Sequence, residues 1–358
     1  MLLRDLTIEN YRSFENYKLN GLARVNLLVG DNNCGKTSVL EAVHILISQG
    51  KMECALETLG LREAIKRASD GTNGRIVGHP DAMSWFRNDA DASNVTRKTF
   101  VIHERGTVDR KVECTIKFTT DEKPHLLVST AYINGLPHRS QVVPLNEVGL
   151  ARGPIQPPTK PSGVEKMAPG IGQIPPHVFV PSLGLKTSRM AQLWTALLPL
   201  RKESSVVQSL NVIDAEIRQI QFSAATMSRS DIWIDQGNKR LTLANLGEGA
   251  AFLLSIGVAI ASSQNGVLFV DEIDTGLHYS KLSGMWQMVI KAAKDLGVQV
   301  FATSHSLDCI RALAATVQAD PAIAEDVAVF RIDRTKDEAV RFAGEELPVV
   351  VEHEIEVR

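Results

Sequence analysis

Residues 26–48, NLLVGDNNCGKTSVLEAVHILIS, decide how the rest of the chain is read. The apolar run Leu27-Leu28-Val29 leads into Gly30-Asp31-Asn32-Asn33-Cys34-Gly35-Lys36-Thr37, which has the form G-x-x-x-x-G-K-[ST]. That spacing is the phosphate-binding P-loop. Ser38 follows, and then Val39, Leu40, Val43, Leu46 and Ile47 fall on one face of a helical pattern. A chance glycine-lysine loop would lack this strand before it and helix after it. Each part has a chemical reason. Gly30 and Gly35 allow backbone angles that a side chain would forbid. Successive N–H groups, from Asp31 to Ser38, can then face phosphate oxygens at a helix N-terminus. The Lys36 ammonium would reach the β- and γ-phosphates, and the Thr37 hydroxyl would ligate Mg²⁺. Lys36 is expected to be exposed in the loop, so that removing it spares the fold.

Moving outward, the chain has 358 residues, enough for one large domain or two smaller ones with a sizeable core. Apolar residues make up 44% and charged residues 22%, which is ordinary for a globular protein. The net charge of −2 argues against a protein that coats nucleic acid, and leaves room for a local basic patch. The cysteines Cys34, Cys54, Cys114 and Cys309 are scattered without a C-x-x-C pair, so a disulfide framework and a zinc site are not expected. A reducing, cytoplasmic setting fits that pattern. The N-terminus alternates apolar and polar residues like a strand and not like a signal peptide, and the run from Ala250 to Ala261 is too short to span a bilayer.

Along the chain, Leu6 and Ile8, then Tyr17–Leu19, then Val25–Val29 read as short strands. Residues 38–69 read as helical, and 70–95 as loops around Trp85-Phe86. Residues 95–145 read as an antiparallel β meander with strands near Thr99–His103, Lys111–Phe118 and Leu126–Ile133. Eight of the fifteen prolines fall in 144–176, so 146–180 reads as an irregular Pro/Gly-rich loop outside the core. A helical lobe is expected over 181–229, with Val206, Leu210, Ile213, Ile217 and Ile220 at helical spacing. From residue 230 strands alternate with helices, which implies a parallel sheet. Its strands come from both ends of the chain, so 1–50 and 230–345 form the nucleotide-binding core of a single domain, 1–358.

The second half of the site lies in that C-terminal segment. Val267-Leu268-Phe269-Val270-Asp271-Glu272 is a buried strand ending in two carboxylates. Asp271 is placed for the Mg²⁺ shell, and Glu272 for polarising the attacking water. Ala302-Thr303-Ser304-His305-Ser306 ends the next strand. His305 there can bond the γ-phosphate and the attacking water, or cap the helix that follows. Asn245-Leu246-Gly247-Glu248-Gly249 opens an apolar helix. It reads as an anion site, as a helix N-cap by Asn245, or as both.

The order of P-loop, G-E-G turn, Asp271-Glu272-Ile273-Asp274-Thr275-Gly276-Leu277-His278 and Thr303-Ser304-His305 resembles the ABC-type ATPase heads of the SMC, RecF and OLD group. Glu9-Asn10-Tyr11-Arg12-Ser13-Phe14 resembles their opening strand. The resemblance covers residues 1–48 and 230–310, and elsewhere only the layout. It implies an α/β fold of the ABC-ATPase head type: a mixed, largely parallel core sheet with helices, an antiparallel β subdomain and an inserted helical lobe. It implies ATP and Mg²⁺ as cofactors, with Glu272 and His305 catalytic and Thr37 and Asp271 at the metal. In that group the G-E-G turn acts in trans, closing on nucleotide held by a second subunit. Asn245, Gly247 and Glu248 would then face a partner's P-loop, and Asp274 matches the D-loop that crosses the interface. Asn245 stands where the group usually carries serine. Its Q-loop glutamine has no clear counterpart here; Gln192 is one candidate, and plain helix surface is the other reading of it.

The expected protein is a cytoplasmic ATPase, a homodimer or higher oligomer, acting in OLD-like anti-phage defence or DNA repair and with DNA as a candidate partner. Glu352, Glu354 and Glu356 read as a solvated tail, so a nuclease or Toprim-like effector is expected on a separate polypeptide. A different reading is an ATP-dependent assembly switch with slow turnover and no nucleic-acid role. A small-molecule P-loop kinase is a third. Asp271-Glu272 argues against it, because a kinase must exclude water.

Overall fold

A computed structural model describes residues 2–54, 85–86, 97–105, 108–118, 124–145, 159, 173–223 and 228–352. The P-loop strand β3 (Val25–Val29) is buried at every residue. It needs apolar side chains on both faces because it lies in the middle of a six-stranded sheet, order β15-β14-β3-β13-β12-β8. Its strands are β8 (His177–Val180), β12 (Val267–Val270), β13 (Gln299–Thr303), β14 (Val327–Arg331) and β15 (Val340–Ala343). All neighbours run parallel except β14 with β15.

Alternation of side chains divides the core into two. Val25, Leu27, Val29, Leu268 and Val300 face Leu253, Ile256, Trp286, Val289 and Leu313. Those belong to helices α5 (Glu248–Ser262), α6 (Tyr279–Asp295) and α7 (Leu307–Ala319). Leu28, Phe269, Phe301 and Phe330 face the other way, toward α1 (Lys36–Ile47). Beyond α1 lies a second, antiparallel sheet, order β2-β1-β4-β5-β6-β7. It comprises β1 (Asp5–Tyr11), β2 (Phe14–Leu19), β4 (Arg97–Arg105), β5 (Arg110–Phe118), β6 (Pro124–Ile133) and β7 (Leu136–Pro144). Val39, Leu40, Val43 and Leu46 of α1 thus share one cluster with Phe100, Ile102, Val112 and Ile116 of that sheet.

Several expectations are corrected. The strands read near the N-terminus, β1 and β2, do not enter the nucleotide core; β1 pairs with β4, Asp5 opposite Arg105, so only β3 and α1 of residues 1–50 build the core sheet and its P-loop. The stretch 146–180 is not wholly outside the core. His177–Val180 is the edge strand of the parallel sheet, Val178 opposite Leu268 and Val180 opposite Val270. His44 of α1 covers it, its ring 5.0 Å from His177 and 5.8 Å from Phe179. The rest of that stretch, apart from Thr159 and 173–176, lies outside the described residues, as do 55–84 and 87–96.

The helical lobe is broken as well. α2 (Thr187–Leu197) and α3 (Glu203–Asn211) are separated at Pro199 and at Arg201, whose φ is 53°. Ile217 follows the second helix, and Ile220 lies on β9 (Gln219–Phe222) of a three-stranded sheet with β10 (Ile232–Asp235) and β11 (Arg240–Thr242). Helical spacing persisted past the helix end because a four-residue strand is too short to show its own period. Among the described residues no helix is long and apolar enough to cross a membrane.

Candidate functional site

The loop after β3 turns into α1 at Gly35, a left-handed N-cap with φ 110°. A Cβ there would lie 2.5 Å from Cζ of Phe14, so only glycine fits. Gly30 is pressed against the Ile332 carbonyl, and Cys34 is buried beneath the loop. Asp31, Asn32 and Asn33 are exposed, Asn33 with φ 62°, and Ser38 is buried. Lys36 is not the exposed residue that the sequence suggests. It is half-buried, and Nζ donates to the Gly30 and Asp31 carbonyls, each at 2.8 Å. The ammonium is tied across the loop because carbonyl oxygens are the acceptors nearest it.

Parallel pairing of β3, β13 and β12 carries the other groups to the same edge. Thr37 Oγ1 donates to Asp271 Oδ1 at 3.2 Å. Thr303 Oγ1 donates to the same oxygen at 2.8 Å and accepts from the Glu272 N–H at 2.8 Å. Thr303 thereby ties the two carboxylate residues to the neighbouring strand, a role the sequence reading missed. The Thr37 and Asp271 oxygens are hard donors of the kind that Mg²⁺ takes, and the ion would add charge against the phosphates. Glu272 has φ 53°, a strained conformation for this residue type. Its Oε1 lies 3.8 Å from Nδ1 of His305. Ser306, not His305, caps α7, accepting from the Cys309 N–H at 3.3 Å. The capping alternative for the histidine is therefore excluded.

Burial raises the Glu272 pKa above 4.5, the nearby Asp271 and Asp274 add to the rise, and His305 and Lys36 oppose it. A base must be ionised to accept a proton. Hydrolysis should therefore fall as pH drops through a value above 4.5. A raised carboxylate pKa means that the folded chain holds this proton more tightly than the unfolded chain does. Its contribution to stability is favourable below the folded value and is lost as pH rises, so acid does not unfold the protein through Glu272. Turnover against pH with parallel circular dichroism checks this. Activity that persists to pH 4.5, or that falls only with unfolding, would remove Glu272 as the base.

The cleft of about 380 Å³ over the loop is lined by Arg12, Ser13, Asn33, Gly35, Lys36, Thr37, Ser38 and Arg334. That volume is within the range of small-molecule sites. Arg12, at the β1–β2 turn with φ 52°, pairs with buried Glu41 at 2.7 Å. Arg12 and Ser13 belong to the quoted opening strand but gave no sign of reaching the loop, and Arg334 gave none at all.

The G-E-G turn lies elsewhere. Thr242, not Asn245, caps the short helix α4 (Leu243–Leu246), and Asn245 Oδ1 accepts from the Thr242 N–H at 3.0 Å and from its hydroxyl at 2.8 Å. The N-cap of α5 is Gly247, φ 86° and ψ −179°. The N-cap reading of Asn245 is thus corrected, and its amide N–H₂ meets no hydrogen-bond partner among the described residues. Glu248 is exposed and pairs with Arg229 at 2.6 Å. Gly249 sits against the Gly276 carbonyl, so the turn is packed on the segment after Asp274. None of Asn245, Gly247 and Glu248 lines the cleft over Lys36. Gln192 is exposed and bonds Arg189 at 3.4 Å, which is the helix-surface reading. Glu352 ends the last helix (α8, Leu347–Glu352), and Glu354 and Glu356 lie outside the described residues.

A P-loop on one parallel strand, a carboxylate pair on the second neighbour and a histidine on the strand between them define a P-loop nucleoside triphosphatase of the ABC type. Family profiles agree. One described as "AAA ATPase domain" matches residues 1–169, and a second, an AAA domain described with the AbiEii toxin of type IV TA systems, matches 196–309. An "ATP/GTP phosphatase" of Helicobacter pylori is 21% identical over 87% of each chain. The "DNA replication and repair protein RecF" of Bacillus mycoides is 35% identical over 25% of this chain and 23% of its own. A crystal structure of an SMC head bound to the C-terminal winged-helix domain of ScpA shares the fold, with TM-score 0.51 and 10% identity over 98% of this chain and 100% of that one. AAA ATPase domains thus match residues 1–169 and 196–309, RecF is similar over part of the chain, the fold is that of an SMC head, and the reaction is ATP hydrolysis.

Proposed function

We propose that two copies of this chain close head to tail around MgATP and open after hydrolysis, in an OLD-like anti-phage defence or DNA repair system with a separate effector. The observation that carries the dimer is the placement of the G-E-G turn. It is built as an open helix N-terminus, with nothing within 4 Å of a Cβ at Gly247, yet it lines no part of its own chain's cleft. A second subunit's triphosphate would fill it, because free N–H groups at a helix start attract anions. Thr37 in each cleft, bonded to Asp271 at its edge, would do the chemistry together with the adjoining Glu272 and His305. The defence and repair setting, and with it a cytoplasmic location, is supported by the AbiEii description and by the RecF likeness over part of the chain.

Mixed dimers test the arrangement. Gly247→Trp puts a bulky residue at a φ of 86° and blocks closure; Asn245→Arg does so without backbone strain. Either variant mixed with Lys36→Ala should recover about one working site per mixed dimer, since one composite site then holds an intact loop and an intact turn. If mixed dimers form and stay inactive, the turn does not act in trans. Turnover that rises with DNA supports the repair or defence role, and turnover indifferent to DNA supports an assembly switch.

A further inference from the structure

We propose that Arg334, at the tip of the β14–β15 hairpin, holds the nucleoside end of the bound nucleotide, its guanidinium plane lying on the purine base. This rests on the reading of the cleft as an ATP site. The direction of the nucleotide follows from strand order. Asp271 and Glu272 end β12 and His305 follows β13, all on one side of β3. The γ-phosphate must point that way to meet the water-activating carboxylate. The opposite end must then leave toward the other neighbour of β3, which is β14. Arg334 follows that strand and lines the cleft together with Gly35, Lys36, Thr37 and Ser38.

The hairpin holds Arg334 in place from both sides. The Ile332 N–H donates to the Val29 carbonyl at 2.8 Å, extending the β3 pairing to the lip of the loop. The Asp333 N–H donates to the Tyr17 hydroxyl at 3.2 Å. Asp333 Oδ1 accepts from the Thr335 N–H at 2.9 Å and from its hydroxyl at 2.7 Å, closing a turn over Arg334. The two arginines of the cleft differ. Arg12 has its charge balanced by Glu41 at 2.7 Å, while Arg334 is exposed and has no ion pair among the described residues. No aromatic side chain lines the cleft among the described residues, so no ring is on hand to stack a base. A planar guanidinium can take that place, because it stacks on aromatic faces and a lysine ammonium does not.

The test separates nucleoside from phosphate. Dissociation constants are measured by titration calorimetry for MgATP and for magnesium tripolyphosphate, which carries three phosphates and no nucleoside. Arg334→Ala should weaken MgATP about tenfold and leave tripolyphosphate within about twofold. Arg334→Phe should restore most of the ATP affinity, and Arg334→Lys less of it. Equal weakening of both ligands would overturn the proposal in favour of a phosphate contact, and no change in either would overturn it outright. Lys36→Ala serves as the control, since it should lose both ligands. A wild-type protein that binds neither would instead bring down the ATP site itself, and the proposal with it.

Discussion

Glu272→Gln should bind MgATP as tightly as the wild type and hydrolyse it at about 10⁻² to 10⁻⁴ of the wild-type rate. The amide keeps the shape of the side chain but cannot accept a proton from water. The backbone geometry should survive, because the bond that fixes it runs from the Glu272 N–H to Thr303 Oγ1 at 2.8 Å and does not involve the carboxylate. Removing the charge also relieves a half-buried carboxylate that sits near Asp271 and Asp274, so the fold should be no less stable. With hydrolysis stopped after binding, the proposed closed dimer should accumulate. Light scattering with MgATP reads the mass, and phosphate release reads the rate. Unchanged turnover would exclude Glu272 as the base. Slow turnover with a strictly monomeric protein would leave the base in place and exclude the dimer.

The pieces of this candidate site were legible because each is local. A strand, a glycine-flanked loop and a helix are consecutive in 26–48, and Asp271-Glu272 and Thr303-Ser304-His305 each end their own strand. What was not legible depends on pairing over long separations. β8 is four residues long, follows two prolines, and becomes a core strand only by pairing with β12, which lies far along the chain. Composition over the surrounding window concealed it. The N-terminal strands gave their type but not their sheet, because β1 finds its second partner in β4, after the P-loop and α1. Arg334 reaches the cleft only because β14 pairs with β3, and Thr303 acts as a bridge only because β13 lies between β3 and β12. The strain at Glu272 is also invisible in sequence. A glutamate with φ 53° is held there by Thr303 and by the Thr275 hydroxyl, which donates to its carbonyl at 2.8 Å. Strain of this kind collects at functional positions and persists only where neighbours fix it.

Lys36→Ala should lose nucleotide binding, with the dissociation constant for MgATP rising more than about a hundredfold. The lysine supplies the one positive charge within the loop 30–37, and its ammonium is already held above that loop. Alanine leaves the phosphates facing N–H groups alone. The structure adds a second effect. Nζ bonds the Gly30 and Asp31 carbonyls at 2.8 Å, so the substitution also removes a brace from the loop. Both carbonyls can then turn to water, and Lys36 is only half-buried, so the cost to the fold should be roughly 1 kcal/mol. Melting and binding are therefore expected to separate: a shift of a few degrees in Tm, against loss of the stabilisation that MgATP gives the wild type. Equilibrium dialysis with labelled ATP measures the binding and a thermal melt with and without MgATP measures the rest. A variant with normal ATP affinity would remove the P-loop assignment. A variant that fails to fold would mean that the two carbonyl bonds matter far more than half-exposed hydrogen bonds should. In that case Lys36→Met, which keeps the aliphatic stem without the charge, distinguishes a lost brace from lost packing.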